Sequence, residues 1–298
     1  MVLGSGDYKY ERVEGWAKIP EYFVLGDVVD VATDSQDRVF AFCRGNHPVL
    51  IFDRDGNFVS CWGEGHFLQP HGIFIGSDDS VYLVDQQRHA VEKFTPGGEL
   101  LLTLPKTISW GRRGWGKPLM LRAPFNQPTG LALGPSGDMF VSDGYANFLV
   151  HRFSPDGELL KTWGEPGTGP GQFALPHNIG VDRHGTVYIC DRENDRIQLF
   201  SSEGQFITMW VELNHPSDVY IDQQKDIIYV AEMGGRSKQA RVSIRDLKGD
   251  VLSMWEGRES EGKGMLGGTH GIWVDSHGDV YETEIGKSPR IQKFAKIA

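Results

Sequence analysis

Cysteine is scarce in this sequence. The 298 residues include three, Cys43, Cys61 and Cys190, and none of them stands in a CxxC pair. An odd and widely spaced set excludes a disulfide framework and a cysteine-based zinc ribbon. It is typical of a reducing compartment, so we expect free thiols in a cytoplasmic protein.

Long apolar runs and a positive net charge are also missing. No stretch approaches the length of a membrane span, and the N-terminal run MVLGSGDYKYERVEGW contains no apolar signal segment. The formal net charge of −10 opposes binding to nucleic acid or an acidic membrane, because like charges repel at long range. We therefore expect neither partner, and a small-molecule or peptide-like carboxylate substrate instead.

Glycine and aromatic residues, by contrast, are plentiful, and they recur in a repeat. The chain holds 38 glycines, and 11% of its residues are aromatic, a mixture that suits short strands joined by tight turns. Each repeat has a strand with a central apolar pair, an acidic residue and a further apolar run. The six pairs, 41 to 58 residues apart, are Val39-Phe40, Val81-Tyr82, Met139-Phe140, Val187-Tyr188, Ile228-Tyr229 and Val280-Tyr281. This period predicts six four-stranded blades of a β-propeller.

The two ends of the chain predict how the ring closes. The sixth repeat lacks the fourth strand that Gly56–Trp62 and Gly157–Trp163 represent elsewhere. The N-terminal run YKYERVEGWAKI has the character to supply it, which would remove an open sheet edge. The pattern, clearest in DRENDRIQLF at 191–200, resembles the NHL repeat. We therefore predict an all-β, six-bladed β-propeller of NHL-type repeats that forms a single domain over residues 1–298.

Three histidines fall in equivalent places of the repeat. Alignment on the apolar pairs defines one slot at the start of each first strand, occupied by Val29, His71, Thr129, His177, Ser217 and His270. Alternate blades of a six-fold ring lie about 120° apart, so the three imidazoles would converge on the axis. Three histidines with a fourth position left open match a zinc site, although other divalent metals also bind imidazole. We predict a metal site at His71, His177 and His270.

A second set of candidate residues follows the second strand of each repeat. In a meander, the start of the first strand and the end of the second lie on the same face. Arg44 and Arg192 come directly after second strands, and Tyr145 lies one position further on. The arginines could bind a carboxylate, or form only surface ion pairs, and the tyrosine could act as general acid or base. The acids that end the second strands, which we predict to stabilise turns, are Asp85, Asp143, Asp191, Glu232 and Glu284.

Six short runs carry a resemblance to a known enzyme family. They are FCRGNH at 42–47, LQPHG at 68–72, QPTGLAL at 127–133, VSDGYAN at 141–147, GQFALPH at 171–177 and CDRENDRIQ at 190–198. These runs resemble the peptidyl-α-hydroxyglycine α-amidating lyases. The resemblance implies zinc ligands at His71, His177 and His270. It also implies a catalytic tyrosine at Tyr145 and active-site arginines at Arg44 and Arg192.

The resemblance also implies a reaction. The family cleaves the N–C bond of an N-acyl α-hydroxyglycine and produces an amide and glyoxylate. Zinc would acidify the substrate hydroxyl, Tyr145 would take its proton, and the arginines would hold the carboxylate. Hydrolysis or hydration at the same three-histidine site is one alternative, and a non-enzymatic NHL binding scaffold is another.

Two features stand apart from the family pattern. The family has an acid directly after the third histidine, where it helps to bind a structural calcium, and this sequence has Gly271. Asp30 and Asp218 take the equivalent place in repeats one and five and could replace it, so structural calcium stays an open expectation. Residues 106–124 form an insertion with five basic residues and no acid, which could act as a lid or an anion funnel over the histidine face.

Overall fold

The computed structural model describes residues 1–106, 109–112, 118–121, 124–235, 239–257 and 266–297. Within these ranges the regular secondary structure consists of β-strands, apart from one helical element, a 3₁₀ turn at Arg192–Asn194. No helix in the described ranges is long and apolar enough to cross a membrane. All three cysteines are free thiols, as their spacing predicts.

Two strands, β1 (Val2–Ser5) and β2 (Tyr8–Val13), precede the first blade. Blade 1 contains β3 (Val28–Thr33), β4 (Val39–Cys43), β5 (Val49–Phe52) and β6 (Phe58–Trp62). Blade 2 contains β7 (Pro70–Ile75), β8 (Val81–Asp85), β9 (Ala90–Phe94) and β10 (Leu100–Leu104). Two short strands, β11 (Ser109–Arg112) and β12 (Pro118–Leu121), then pair with each other. Blade 3 contains β13 (Gly130–Leu133), β14 (Met139–Asp143), β15 (Leu149–Phe153) and β16 (Leu159–Trp163).

A small parallel pair, β17 (Glu165–Pro166) and β18 (Gln172–Phe173), leads into the second half of the ring. Blade 4 contains β19 (Pro176–Val181), β20 (Val187–Asp191), β21 (Arg196–Phe200) and β22 (Phe206–Trp210). Blade 5 contains β23 (Pro216–Asp222), β24 (Ile227–Glu232), β25 (Arg241–Asp246) and β26 (Val251–Glu256). The last blade begins with β27 (Thr269–Val274), β28 (Val280–Glu284) and β29 (Arg290–Ile297).

Each blade is an antiparallel meander, and the first strands of neighbouring blades contact one another around the ring. The ring closes where β27 meets β3. Every residue of β3 and β19 is buried, whereas most of the fourth strand β16 is exposed. The first strands are covered by neighbouring blades on both sides, so their burial is nearly continuous rather than alternating, even where they carry polar residues. The predicted six-bladed β-propeller is confirmed.

The hydrophobic core is divided among the junctions between blades. Each apolar cluster in the described residues combines side chains from two adjacent blades, and together the clusters cover all six junctions. The junction between blades 6 and 1, for example, packs Trp16 against Phe52 and Tyr281. A blade cannot bury its faces alone, so the stability of each blade depends on the blades that pack against it.

The N-terminal run closes the ring, as predicted. Strand β2 pairs antiparallel with β29 and so supplies the fourth strand of blade 6, and β1 adds a fifth. Tyr10 of β2 is fully buried, its ring lies 5.2 Å from that of Trp255 in blade 5, and its hydroxyl lies 3.4 Å from that of Tyr229. The N-terminus is therefore part of the core that joins blades 5 and 6.

The insertion at 106–124 lies largely outside the described residues. Its described part beyond Lys106 consists of the backbone of β11 and β12, and Trp115 and all side chains of 107–123 fall outside. The proposal that this segment is a lid or an anion funnel therefore stays a prediction.

We predict that Tyr10→Ala lowers the free energy of unfolding by about 3–5 kcal/mol, because it leaves a cavity between the last two blades. Val13→Ala, on the same strand but 37% exposed, is the matched control and should cost far less. Urea unfolding of both variants measures the difference. Equal losses would contradict a closing role for Tyr10.

Candidate metal centre in the propeller channel

A backbone irregularity turns each channel histidine out of its strand. In β7, Pro70 pairs with Asp85 and Gly72 pairs with Val84, so that His71 is an extra residue with no partner in the ladder. The same shift occurs at His177 and at His270. Such a β-bulge bends the strand and re-aims the extra side chain. The three bulges direct three imidazoles towards the channel axis.

The next blade then holds each imidazole in place. The Nδ1 atoms of the three histidines lie 2.6 to 2.7 Å from backbone carbonyl oxygens of Thr129, Ser217 and Val29, the slot residues of the following blades. A carbonyl oxygen can only accept, so Nδ1 carries the proton and Nε2 keeps its lone pair. This is the arrangement by which metal-binding histidines are oriented in other proteins.

Donors on the other three blades complete a ring of hydrogen bonds at the same level. They are Thr129 Oγ1 to the carbonyl of Pro176 at 2.8 Å, Ser217 Oγ to that of Thr269 at 3.0 Å, and Arg44 Nε to that of Pro70 at 3.1 Å. Each acceptor is the residue directly before a channel histidine. Every histidine-bearing bulge is thus bonded to the blade on either side of it.

The three imidazoles converge. Their ring centroids lie 4.7 to 5.0 Å apart, all three side chains are buried, and their ligand atoms lie within 4.8 Å of one another. Burial lowers the pKa of His71 and His177 well below the ordinary value and that of His270 to about 3. Nearby arginine charges act in the same direction. The imidazoles are therefore neutral, which is the form that binds a metal.

Tyr145 reaches the same point from blade 3. Its hydroxyl oxygen lies 3.1 Å from Nε2 of His71 and 3.3 Å from Nε2 of His177. The preceding residue has to be glycine, because a Cβ on Gly144 would lie 2.1 Å from the carbonyl oxygen of Pro176. That close approach lets the chain pass blade 4 and places Tyr145 over the histidines.

Both predicted arginines border the site. The guanidinium of Arg192 lies 5.8 Å from the centroid of the Tyr145 ring, and it pairs with Glu193. The guanidinium of Arg44 pairs with Asp27 at 3.2 Å, while its Nε bonds to Pro70. Arg44 and Arg192 side chains are 21% and 15% exposed, so both can be reached from solvent.

The acids that end the second strands stabilise turns, in agreement with the prediction. Asp85, for example, accepts bonds from the backbone N–H groups of Leu68 and Gln69, which lead into the same blade. Equivalent bonds join Asp143 to Asn126, Asp191 to Ala174, Glu232 to Asn214 and Glu284 to Gly267. These carboxylates therefore anchor the loops that deliver the slot residues.

A layer of buried carboxyl groups follows the histidines along the channel. Asp30 and Asp218 are buried, and burial raises the pKa of both; the charge of Asp218 raises that of Asp30 further. All four oxygens accept hydrogen bonds, Asp30 from Val31 and Ile73 and Asp218 from Val219, Ile272 and Asn178. Two such groups in contact share a proton when no cation balances their charge.

Gly271 belongs to the same layer, and the space around it is full. A Cβ there would lie 2.5 Å from Oδ1 of Asp30, 2.7 Å from Oγ1 of Thr283 and 2.8 Å from the Cα of Asp30. A side chain at position 271 would therefore displace backbone of blade 1. The carboxyl groups of blades 1 and 5 occupy the place that an acid in blade 6 would need.

The other end of the channel is a separate space. A cavity of about 510 Å³ lies between the far ends of the first strands, and its lining is mostly apolar, with Phe74, Tyr220 and Trp273 among its walls. Asn178 and Asp218 also border it. The carboxyl layer therefore stands between this cavity and the histidines.

Some members of the site were not predicted as such. Thr129 and Ser217 occupy slots for which no role was predicted, although their carbonyls orient His71 and His177. Asp27 and Glu193, which pair with the arginines, have no counterpart in the repeat pattern. The recurrence of hydroxyl residues in alternate slots was the one available signal.

We predict that Gly271→Ala destabilises the metal-free protein by about 1–3 kcal/mol, because the added methyl group meets Asp30 and Thr283. The control is Gly97→Ala, where a Cβ would meet nothing closer than 3.9 Å. Urea unfolding in the presence of a chelator compares the two. A Gly271→Ala protein as stable as the control would contradict the close packing of this layer.

Known proteins with similar sequences include amidating enzymes. Rat peptidylglycine alpha-amidating monooxygenase is 31% identical over 232 residues, which cover 67% of this chain and 23% of that protein. Drosophila melanogaster peptidyl-alpha-hydroxyglycine alpha-amidating lyase 1 is 35% identical over 158 residues, 49% of this chain and 28% of that one. Human NHL repeat-containing protein 3 is 34% identical over 215 residues, 67% and 59% of the two chains. The chain thus spans less than two thirds of the length of each of these relatives.

Solved structures agree with the fold. Virginiamycin B lyase from Staphylococcus aureus superposes with a TM-score of 0.65 over 97% of this chain and 100% of that one, at 13% identity. At that identity the likeness concerns the propeller alone. No protein-family model matches the chain. By sequence, the chain is a β-propeller related to NHL repeat-containing proteins and to the peptidyl-alpha-hydroxyglycine alpha-amidating lyases.

Proposed function

We propose that the protein is a metal-dependent carbon–nitrogen lyase that splits an N-substituted α-hydroxyglycine into an amide and glyoxylate. One observation carries the proposal: three neutral imidazoles, a tyrosine hydroxyl and two guanidinium groups meet at one end of the channel. The names of the relatives point to the same chemistry.

The donor set fits a divalent metal. Nε2 of His270 is buried and has no hydrogen-bond partner, which is costly for a polar atom unless a ligand completes it. Nε2 of His71, His177 and His270 would hold the ion, and three imidazoles with an open fourth position suit zinc. When bound, the ion supplies Lewis acidity to an oxygen of the substrate.

Tyr145 is assigned to proton transfer. As a phenolate, Tyr145 would take the proton of the α-hydroxyl and return it to the departing amide nitrogen. The C–N bond breaks as the hydroxyl-bearing carbon becomes the aldehyde of glyoxylate, so atoms and charge balance without a second reactant.

The arginines bind the carboxylate. Asp27 and Glu193, the partners of Arg44 and Arg192, are 30% and 44% exposed, so both pairs are open to exchange with a ligand carboxylate. Exposed ion pairs of this kind contribute little to the free energy of folding, so replacing one of them by a pair with the ligand carboxylate costs little free energy.

The carboxyl layer suits a different role from calcium binding. The oxygens of Asp30 and Asp218 are already bonded to backbone N–H groups, and Gly271 leaves no room for a further acid. We propose that this hydrogen-bonded pair supports the channel in place of a structural calcium.

Other assignments remain predictions. Hydrolysis or hydration at the same site is the main alternative reaction, and a binding scaffold is the non-enzymatic one. A cytoplasmic location and the lack of nucleic-acid or membrane partners rest on the sparse cysteines and the net charge of −10.

We expect the metal-replete protein to release glyoxylate from an N-acyl α-hydroxyglycine. His71→Ala and His177→Ala should each bind one equivalent of metal less than the unaltered protein and lower the rate more than about a hundredfold, because the channel ligand set is broken. His184→Ala, which removes an exposed histidine, should keep both. Elemental analysis and a glyoxylate assay measure the outcome. Stoichiometric metal without glyoxylate would exclude the lyase, and no metal at all would favour the scaffold.

Tyr145→Phe is expected to keep the metal and to lower the turnover rate by about 10²- to 10⁴-fold, because it removes the proton-transfer group alone. Tyr22→Phe, at a tyrosine that is 80% exposed, is the matched control. Full activity in Tyr145→Phe would remove this residue from the mechanism.

A further inference from the structure

A second group of metal-binding side chains lies outside the channel, in blade 1. Nδ1 of His47 is 2.8 Å from Oε1 of Glu64 and 3.7 Å from Sγ of Cys61, and that Sγ is 3.5 Å from the same Oε1. The three donor atoms thus form a compact triangle. Nothing in the proposed lyase chemistry uses them.

The fold brings these residues together from two segments. His47 lies in the hairpin between β4 and β5, Cys61 is next to the last residue of β6, and Glu64 follows two residues after that strand. Strands β4 and β6 end at the same edge of the blade as the channel histidines, because β3 starts there and the meander is antiparallel. The His47 ring is held by stacking on Phe23, with centroids 4.0 Å apart.

The geometry does not suit a catalytic relay, and the distances to sulfur suit a metal site. In a nucleophile–base–acid relay, the acid and the nucleophile contact opposite nitrogens of the imidazole. Here the thiol and the carboxylate both contact Nδ1. Tetrahedral zinc with bonds of about 2.3 Å to sulfur and 2.0 Å to nitrogen or oxygen separates a sulfur from such a neighbour by about 3.5 Å. The sulfur distances already lie close to that value.

We propose that His47, Cys61 and Glu64 form a second divalent-metal site, selective for a thiophilic ion such as zinc, on the rim of blade 1. Binding replaces the thiol proton by the metal and releases that proton to solvent. The side chains of His47 and Glu64 are 32% and 49% exposed, so a water molecule can take the fourth position. Thiolate, imidazole and carboxylate together favour zinc over magnesium or calcium.

The site has a structural consequence. An ion bound there cross-links the β4–β5 hairpin to the end of the outer strand β6. The same hairpin carries Arg44, three residues before His47. A metal-bound hairpin is expected to be less mobile at Arg44, but the existence of the site does not depend on the lyase proposal.

Cobalt titration of the metal-free, reduced full chain tests the proposal. A thiolate ligand gives Co²⁺ an intense charge-transfer absorption in the near ultraviolet, whereas the channel histidines offer nitrogen alone. Cys43 and Cys190 are 1% and 0% exposed, and neither belongs to a group of three metal-binding side chains among the described residues, so the band reports on Cys61. We expect the band in the unaltered protein and in His71→Ala, and zinc should abolish it by competition.

Three variants decide the outcome. Cys61→Ser should lose the band, Glu64→Gln should weaken cobalt binding by about tenfold or more, and Cys190→Ala should leave it unchanged. Glu64→Gln changes a half-exposed side chain that follows β6, so it tests the site even if Cys61→Ser folds poorly. Absence of the band in the unaltered protein, its persistence in Cys61→Ser, or unchanged affinity in Glu64→Gln would overturn the proposal.

Discussion

The hydrogen bond from a channel histidine to the carbonyl of the next blade is the contact on which the site depends. It is short, buried and repeated three times, at His71, His177 and His270. Each bond fixes the tautomer of one imidazole and, with it, the direction of the Nε2 lone pair. Because the acceptor belongs to the following blade, the position of Nε2 depends on how two neighbouring blades are placed relative to each other. The site is therefore assembled only when the ring is closed.

The blades without a channel histidine also hold the histidine-bearing bulges in place. The alternate blades carry Thr129, Ser217 and Arg44, whose side chains bond back to the residue before each histidine. A histidine bulge is thus bonded on both sides, and the apolar clusters at the junctions hold the same blades from outside the channel. Preorganisation of this kind is what a metal centre needs, since ligands that are already oriented lose little entropy on binding.

Charge is graded along the channel. The guanidinium groups of Arg44 and Arg192 border the histidine end, and they favour an anionic ligand there. The carboxyl pair of Asp30 and Asp218 lies on the far side of the histidines and presents carboxyl oxygens there instead of cationic groups. An anion is thus favoured at the mouth and opposed beyond the imidazoles. This gradient would hold a carboxylate substrate at the level of Tyr145.

The sequence by itself determined the number of blades, the closing N-terminal strand and the equivalence of the three histidine slots. The repeated apolar pairs and turn residues can be read directly from the sequence, because each repeat is a local pattern that does not depend on contacts between distant residues. Only the tertiary structure decided which nitrogen of each imidazole faces the axis, that Gly144 lets Tyr145 pass blade 4, and that Gly271 abuts Asp30. It also decided that Cys61, which stands in no sequence motif, meets His47 and Glu64. These features depend on distances between residues from different segments of the ring, and such distances leave no periodic trace in the sequence.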